Sequence, residues 1–298
     1  MIASFADDQI AEFRSQLREW LQRSIPADWR GRRSELSADE VRSIRRSWDR
    51  QLFDAGYAGL TWPPEFGGRG FGHIQEYVFY EECARARAPE GLGRVGRLMA
   101  GPTLISCGSP QQRSRYLPAI LAGTEIWCQG FSEPGAGSDL AAVRTRATRD
   151  GSGYRVSGQK TWVSFAHYAD FCILLALTGD RAARHRNLTM LVVNMQAPGI
   201  TVRPIRQING QQEFGEIYLD DVYVQEEDRI GLEDHGRQVA MTLLINERGM
   251  IEAATRYVDL SAAVELLRET AATPGRPPSA RDVGYEIDVY AARVEALR

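Results

Sequence analysis

The feature that most constrains the fold is a change in hydrophobic periodicity, which occurs twice along the chain. Apolar residues recur at helical steps of three or four up to about residue 123, in short β-type runs afterwards, and at helical steps again from 234. The helical period places apolar side chains along one face of a helix, whereas β-type runs place them on the faces of a strand. We therefore expect an α+β multidomain chain with a helical domain over 1–123, an antiparallel β-barrel domain over 124–233 and a helical bundle over 234–298.

Local signals support the helical and β-type segments. Ser37 and Glu40 have the spacing of a capping box, and Pro26 is expected to end an earlier helix. That earlier helix carries an apolar stripe at Ile10, Phe13, Leu17, Trp20 and Leu21, and further helices are expected over 73–87 and 110–122. The β-type runs, separated by turn sequences, cover 171–177, 189–195, 200–205 and 216–224.

The third segment has a helical stripe at Val239, Leu243, Glu247 and Ile251. A last helix is expected over 283–297, and its stripe still runs at Arg298 with no capping residue after it. We expect the C-terminal helical bundle to be incomplete.

Composition excludes several functional classes. The 298 residues include 36 Lys and Arg against 39 Asp and Glu, so no basic excess exists for nucleic acid. The longest apolar run, Phe171–Leu177, falls far short of the roughly 18 residues that suggest a membrane span. Four cysteines without a C-x-x-C pair, and four histidines without metal spacing, predict neither a disulfide scaffold nor a metal site. The acidic, polar N-terminus is not typical of a secretory signal, so a cytoplasmic location is expected.

One motif is interpreted as structural. Residues 91–96 match G-x-G-x-x-G, but dinucleotide binding requires a buried strand directly before the motif. The preceding residues have no strand pattern, and a loop between helices is expected.

Residues 127–141 combine small residues with turn signals. Gly135 and Gly137 let backbone N–H groups approach a ligand closely, and Ser132 and Ser138 add hydroxyls without bulk. This combination suits a polar ring edge or a diphosphate.

Residues 157–164 follow some twenty residues later. Trp162 offers a flat apolar face for stacking, and Ser164 offers a hydroxyl nearby. Lys160, the single lysine of the chain, is expected to be structural and to close a turn through its ammonium group.

These two segments, in this order, resemble the acyl-CoA dehydrogenase family of flavoproteins. Matching motifs run along the whole chain, at 61–70, 101–141, 158–164, 217–231 and 243–249. The resemblance implies a helical domain, a β-barrel domain and a helical bundle, and the chain covers about three quarters of a typical member.

The resemblance also implies a cofactor site for FAD. Carried over by position, the site comprises Gln129, Phe131, Ser132, Ser138, Trp162, Val163 and Ser164. Ser132 would lie towards the pyrimidine edge of the flavin, Trp162 would pack on the ring system, and the Ser164 hydroxyl would approach flavin N5. Ser138 would also lie near the CoA portion of the substrate.

The implied reaction is α,β-dehydrogenation of an acyl-CoA thioester, with electrons passed to an acceptor such as an electron-transfer flavoprotein. In some members a Glu directly before an Arg removes the α-proton, and Glu247 and Arg248 occupy that position here. Glu247 would be the catalytic base and Arg248 a substrate-binding group. The alternative is an ordinary Asn-Glu-Arg triplet at a surface or an interface.

Two further functions stay open. The chain could be a non-catalytic or truncated partner subunit of a heteromeric acyl-CoA dehydrogenase, or a same-fold flavin oxidase or monooxygenase. Its Arg-rich composition and residues 127–141 resemble an actinobacterial subgroup that acts on sterol side-chain CoA esters as pairs of unlike subunits. A homo- or hetero-oligomer is expected.

Overall fold

The computed structural model describes residues 2–32, 35–180, 183, 186–208, 210–247, 254, 257–265, 291–292 and 294, except for the side chains of residues 2–7, 32 and 247. The described chain forms two compact units. Unit 1 contains Met1–Leu36, Gly70–Pro89 and the described residues after 247; unit 2 contains Ser37–Arg69 and Glu90–Glu247. The domain limits at 123 and 233 stay a prediction.

The described helices are α1 (Ile2–Ser24), α2 (Ala27–Arg32), α3 (Ala38–Asp54), α4 (His73–Arg85), α5 (Gly101–Cys107), α6 (Pro110–Ala122) and α7 (Gly236–Glu247). A π-helical turn, Gly96–Ala100, precedes α5. The strands are β1 (Trp127–Gly130), β2 (Arg146–Asp150), β3 (Gly153–Ser164), β4 (Phe171–Leu177), β5 (Leu188–Asn194), β6 (Ile200–Ile205), β7 (Phe214–Gln225) and β8 (Arg229–Ile230).

The predicted helix signals are confirmed. In unit 1, the α1 stripe is buried at Phe13, Leu17 and Leu21. In unit 2, Ser37 and Glu40 form both hydrogen bonds of a capping box at the start of α3. Each bond satisfies an N–H group that has no partner within the helix, which fixes where the helix begins.

The sheet of unit 2 has the order β6-β7-β3-β2-β4-β5-β8, with β1 paired to β4 outside this path. The predicted barrel is therefore wrong, because in the described residues β6 pairs only with β7 and the two-residue β8 only with β5. The pairing is also not purely antiparallel. β1 and β2 both run parallel to β4, and the chain segments between them are long enough for the crossover connection that parallel strands need.

The core of unit 2 lies on both faces of this sheet. Ile173, Leu175 and Leu177 of β4 join a cluster that includes buried residues of α6 and α7. Their neighbours Leu174 and Ala176 join a second cluster on the other face. A strand buried on both faces needs a continuous apolar sequence, and this explains the run that the sequence shows at Phe171–Leu177.

The C-terminal prediction is tested only in part. Val239 and Leu243 of α7 are buried, whereas Ile251 and almost all of the expected helix over 283–297 lie outside the described residues. In the part of the chain that the structure describes, no helix has the length and apolarity needed to cross a membrane.

Candidate functional site

The two motif segments lie side by side at one end of strands β1 and β3. The Thr161 N–H donates to the Ser132 carbonyl at 2.9 Å. The Lys160 ammonium donates to the Phe131 carbonyl at 3.1 Å. Residues about thirty positions apart in the sequence thus form one local surface.

A buried ion pair fixes this junction. Lys160 Nζ lies 2.8 Å from Glu133 Oε1, and the two side chains are 0% and 5% exposed. The Glu133 carboxylate also accepts the backbone N–H groups of Arg144, at 2.7 Å, and Thr145, at 2.9 Å. The expected role of Lys160 in closing a turn is confirmed.

The charges of this pair depend on each other. Burial lowers the pKa of Lys160, and the Glu133 carboxylate opposes that change. Burial by itself would raise the pKa of Glu133, but the ammonium and the hydrogen bonds from Thr145 hold it below its usual range. Glu133 therefore stays ionised and closes the loop between residues 133 and 145.

Trp162 is presented to solvent by an irregularity in β3. The pairing of β3 with β7 shifts register between Lys160 and Val163, as at a β-bulge. Trp162 has a left-handed backbone conformation, with φ of 58°, and its side chain is 61% exposed. Its indole lies edge-to-face with the ring of Phe214, with centroids 6.2 Å apart.

The other predicted cofactor residues fall into two groups. Phe131 and Val163 have buried side chains within the core, so only their backbone can meet a ligand. Gln129, Ser132 and Ser164 are partly buried. Within the described residues, no hydrogen bond uses the Ser132 or Ser164 hydroxyl, so both can serve a ligand.

Ser138 is exposed and lies on the loop that Glu133 closes. Gly135 and Gly137 occupy the same open loop, where an added Cβ would meet no atom within 4 Å. The predicted close approach of a ligand at these glycines stays a prediction.

The predicted base lies at the limit of the described chain. Glu247 is the last residue of α7, one turn after the buried Leu243. The Glu247 side chain and the whole of Arg248 lie outside the described residues.

The site combines an exposed indole face, two available hydroxyls and a nearby edge of backbone. These groups suit a planar heteroaromatic ring that has polar atoms along one edge. A flavin is such a ring, so the residues present fit the cofactor that the sequence predicts.

Sequence reasoning gave no role to Glu133 in this site. Glu133 and Lys160 both lie in the two motif segments, but no sequence signal pairs them. The Glu133 side chain is indistinguishable in sequence from a solvated one.

The glycine-rich motif at 91–96 has a structural role, as expected. Asp49 is fully buried, forms an ion pair with Arg97 and accepts the Gly93 N–H at 2.9 Å. A Cβ at Gly91 would lie 1.9 Å from Asp49 Oδ1. The glycines leave room for this buried ion pair.

The chain matches two known family descriptions. Residues 7–124 match the family description "Acyl-CoA dehydrogenase, N-terminal domain", and residues 128–222 match "Acyl-CoA dehydrogenase, middle domain". The acyl-CoA dehydrogenase IpdE1 of Mycobacterium tuberculosis is 43% identical over 269 residues, which cover 88% of this chain and 70% of that protein. The chain belongs to the acyl-CoA dehydrogenase family.

Solved structures of acyl-CoA dehydrogenases include chains of similar fold. One is a chain of the Tcur3481-Tcur3483 steroid ACAD, which is 31% identical with a TM-score of 0.83. The superposition covers 97% of the present chain and 73% of that chain. Another, from the ChsE4-ChsE5 complex of Mycobacterium tuberculosis, has a TM-score of 0.82 and 29% identity, with the same two coverages. Acyl-CoA dehydrogenases are flavoprotein oxidoreductases of lipid metabolism, and the present chain is an enzyme of this family.

Proposed function

We propose that this acyl-CoA dehydrogenase binds FAD against Trp162 and the turn at Ser132, and that it catalyses α,β-dehydrogenation of an acyl-CoA thioester. The observation that carries this proposal is the junction of the two motif segments. It leaves the Trp162 indole exposed and the hydroxyls of Ser132 and Ser164 available. Membership of the family supports the reaction class.

When bound, FAD supplies the acceptor for the hydride that leaves the β-carbon of the substrate. Trp162 would pack against the flavin ring system. Ser132 and Ser164 would donate hydrogen bonds to its polar edge, and Gln129 would line it. Phe131 and Val163 would contribute backbone groups, while Ser138 would approach the CoA portion on the exposed loop.

We further propose that Glu247 removes the α-proton and that Arg248 binds the substrate. Glu247 ends α7, and this helix is anchored one turn earlier by Leu243, which is fully buried. A base for a weakly acidic C–H group must be held within hydrogen-bond reach of that proton and sheltered from water. The anchored helix would supply the first of these conditions.

The cofactor proposal is tested by absorbance spectroscopy of the purified chain and by titration of the apoprotein with FAD. We expect bound flavin, and we expect Trp162→Ala to weaken FAD binding about tenfold through loss of the aromatic contact. The control is Tyr223→Ala, which removes an exposed aromatic side chain of β7 instead of the one on β3. It should bind FAD as the wild type does. Equal FAD affinity in all three proteins would refute the proposed site.

The base is tested by anaerobic mixing of the FAD-loaded enzyme with acyl-CoA thioesters. Glu247→Gln should still bind flavin. Its flavin should be bleached by substrate at least 100-fold more slowly than in the wild type, as expected when a general base is removed. Glu65→Gln, at an exposed position outside the site, should bleach at the wild-type rate. Unchanged bleaching in Glu247→Gln would exclude Glu247 as the base.

We also propose a steroid-derived acyl group and an unlike partner subunit. The supporting observation is the similarity to the Tcur3481-Tcur3483 steroid ACAD and to the ChsE4-ChsE5 complex. Flavin bleaching should be faster with steroid side-chain CoA thioesters than with straight-chain ones of equal carbon number. A preference for the straight-chain substrates would refute the steroid assignment, and full turnover by a purified homo-oligomer would refute the need for a partner.

A further inference from the structure

The Trp162–Ser164 segment is bounded by two residues in a rarely occupied backbone conformation. Trp162 and Phe165 both have φ of 58°, in the left-handed region. Residues other than glycine are disfavoured there, and such conformations persist only where the surrounding structure holds them in place. The contacts of Phe165 therefore decide whether the segment keeps its shape.

Phe165 is held through both its backbone and its ring. Its N–H donates to the Glu213 carbonyl at 2.7 Å. Its ring is 2% exposed and packs in a cluster with Leu92, Val95 and Ile126. The Arg45 guanidinium carbon lies 4.6 Å from the centroid of the ring, within the range of a cation–π interaction.

Arg45 joins three parts of unit 2 at this point. It lies on α3, with a side chain that is 8% exposed. Its Nε donates to the Glu90 carbonyl at 2.6 Å, and its Nη1 donates to Glu213 Oε1 at 3.0 Å. A planar guanidinium can make these bonds and stack on a ring at once, which an ammonium group cannot do.

The Glu213 contact links Arg45 to the other side of the segment. Phe214 follows Glu213, pairs in register with Ser164, and places its ring edge-to-face with Trp162. Arg45 therefore contacts Phe165, which follows Ser164, and Glu213, which precedes Phe214. Among the described residues, its polar and ring contacts do not include Trp162 or Ser164.

We propose that Arg45 is a positioning residue for the Trp162–Ser164 segment, acting through Phe165 and Glu213. Its effect on FAD binding rests on the proposed function of that segment. Its effect on the backbone conformation does not rest on that function, because it is carried by contacts within the chain, to Phe165, Glu90 and Glu213.

The conformational part is tested by hydrogen exchange and mass spectrometry on the 298-residue apoprotein. In Arg45→Met, the amide of Phe165 should exchange about tenfold faster or more, because its hydrogen bond to Glu213 loses its support. Exchange in strands β4 and β5 should not change. Arg50→Met removes an exposed arginine that pairs with Asp54 on the same helix, and it should leave Phe165 exchange at the wild-type rate.

Two milder variants keep the test decisive if Arg45→Met does not fold. Glu213→Gln removes a charge that is 39% exposed and should accelerate Phe165 exchange about threefold. Arg45→Lys keeps the charge without the planar group and should lie between the wild type and Arg45→Met. Wild-type exchange at Phe165 in each variant that folds would overturn the proposal.

The functional part is tested by FAD titration of the same variants. The dissociation constant should rise about tenfold in Arg45→Met and stay unchanged in Arg50→Met. If the wild type binds FAD and Arg45→Met exchanges faster but binds FAD equally well, Arg45 does not position the cofactor site. If the wild type itself binds no FAD, the proposed function fails while the exchange result still decides the role of Arg45.

Discussion

Replacing Lys160 by methionine removes the ammonium group beside the buried Glu133 carboxylate. Methionine keeps an unbranched apolar side chain of similar length, so little packing is lost. The carboxylate, which is 5% exposed, keeps its hydrogen bonds from Arg144 and Thr145 but loses its counter-charge. The Phe131 carbonyl loses the donor that lay 3.1 Å away.

The magnitude follows from protonation, because the folded protein can protonate Glu133 instead of burying an unpaired charge. Protonating a carboxyl of ordinary pKa, about 4.3, costs about 3.7 kcal/mol at pH 7 and about 1.0 kcal/mol at pH 5. The lost hydrogen bond to Phe131 adds about 1 kcal/mol. We expect Lys160→Met to lower the free energy of unfolding by about 4–5 kcal/mol at pH 7 and by about 2 kcal/mol at pH 5.

The pH dependence of the variant is opposite in sign to that of the wild type. In the wild type the pKa of Glu133 lies below its usual range, so this carboxylate stabilises the fold above about pH 4.3 and that stability is lost as the pH falls. In Lys160→Met burial dominates, and the pKa of Glu133 rises above its usual range. The folded variant then holds a proton that the unfolded chain releases, so its stability falls as the pH rises from 5 to 7.

Equilibrium urea unfolding at pH 5 and pH 7, followed by circular dichroism, measures both effects. The double variant Lys160→Met/Glu133→Gln removes the buried charge and should lose the pH dependence between pH 5 and 7. It should also recover most of the stability that Lys160→Met loses at pH 7. A loss below 1 kcal/mol at pH 7, or equal losses at the two pH values, would refute the reasoning.

Two further changes test buried contacts of unit 2, each measured by urea unfolding. Asp49→Ala leaves the Arg97 guanidinium buried without its carboxylate and should cost about 3–5 kcal/mol; a cost below 1 kcal/mol would contradict this. Gly68→Ala would place a Cβ 2.1 Å from the Trp62 carbonyl oxygen and should cost about 1–3 kcal/mol. Gly135→Ala meets no atom within 4 Å and should change stability by less than about 0.5 kcal/mol, so equal losses in the two glycine variants would exclude steric contact as the cause.

The sequence predicted the elements of the fold well because their signals are local. The capping box at Ser37 and the strands at 171–177 and 200–205 depend on residues close together in the chain. Closure of the sheet has no local signal. It depends on whether the strands at its two ends meet, and among the residues that the structure describes β8, two residues long, pairs only with β5.

The candidate site shows the same division. Its residue types and their order along the chain were sufficient to indicate a flavin site before any contact was known. The exposure of Trp162 could not be predicted, because it follows from a register shift against β7 and a left-handed backbone conformation that alternation along β3 does not reveal.

The sequence by itself determined the family, the order of helical and β-type segments, and the residues proposed to hold FAD. Only the tertiary structure paired Lys160 with Glu133 and placed Arg45 against Phe165 and Glu213. The physical reason is that a charged side chain carries the same local signal whether it is solvated or buried. Its partner, which lies 27 positions away for Lys160 and 168 for Arg45, is decided only when the chain packs.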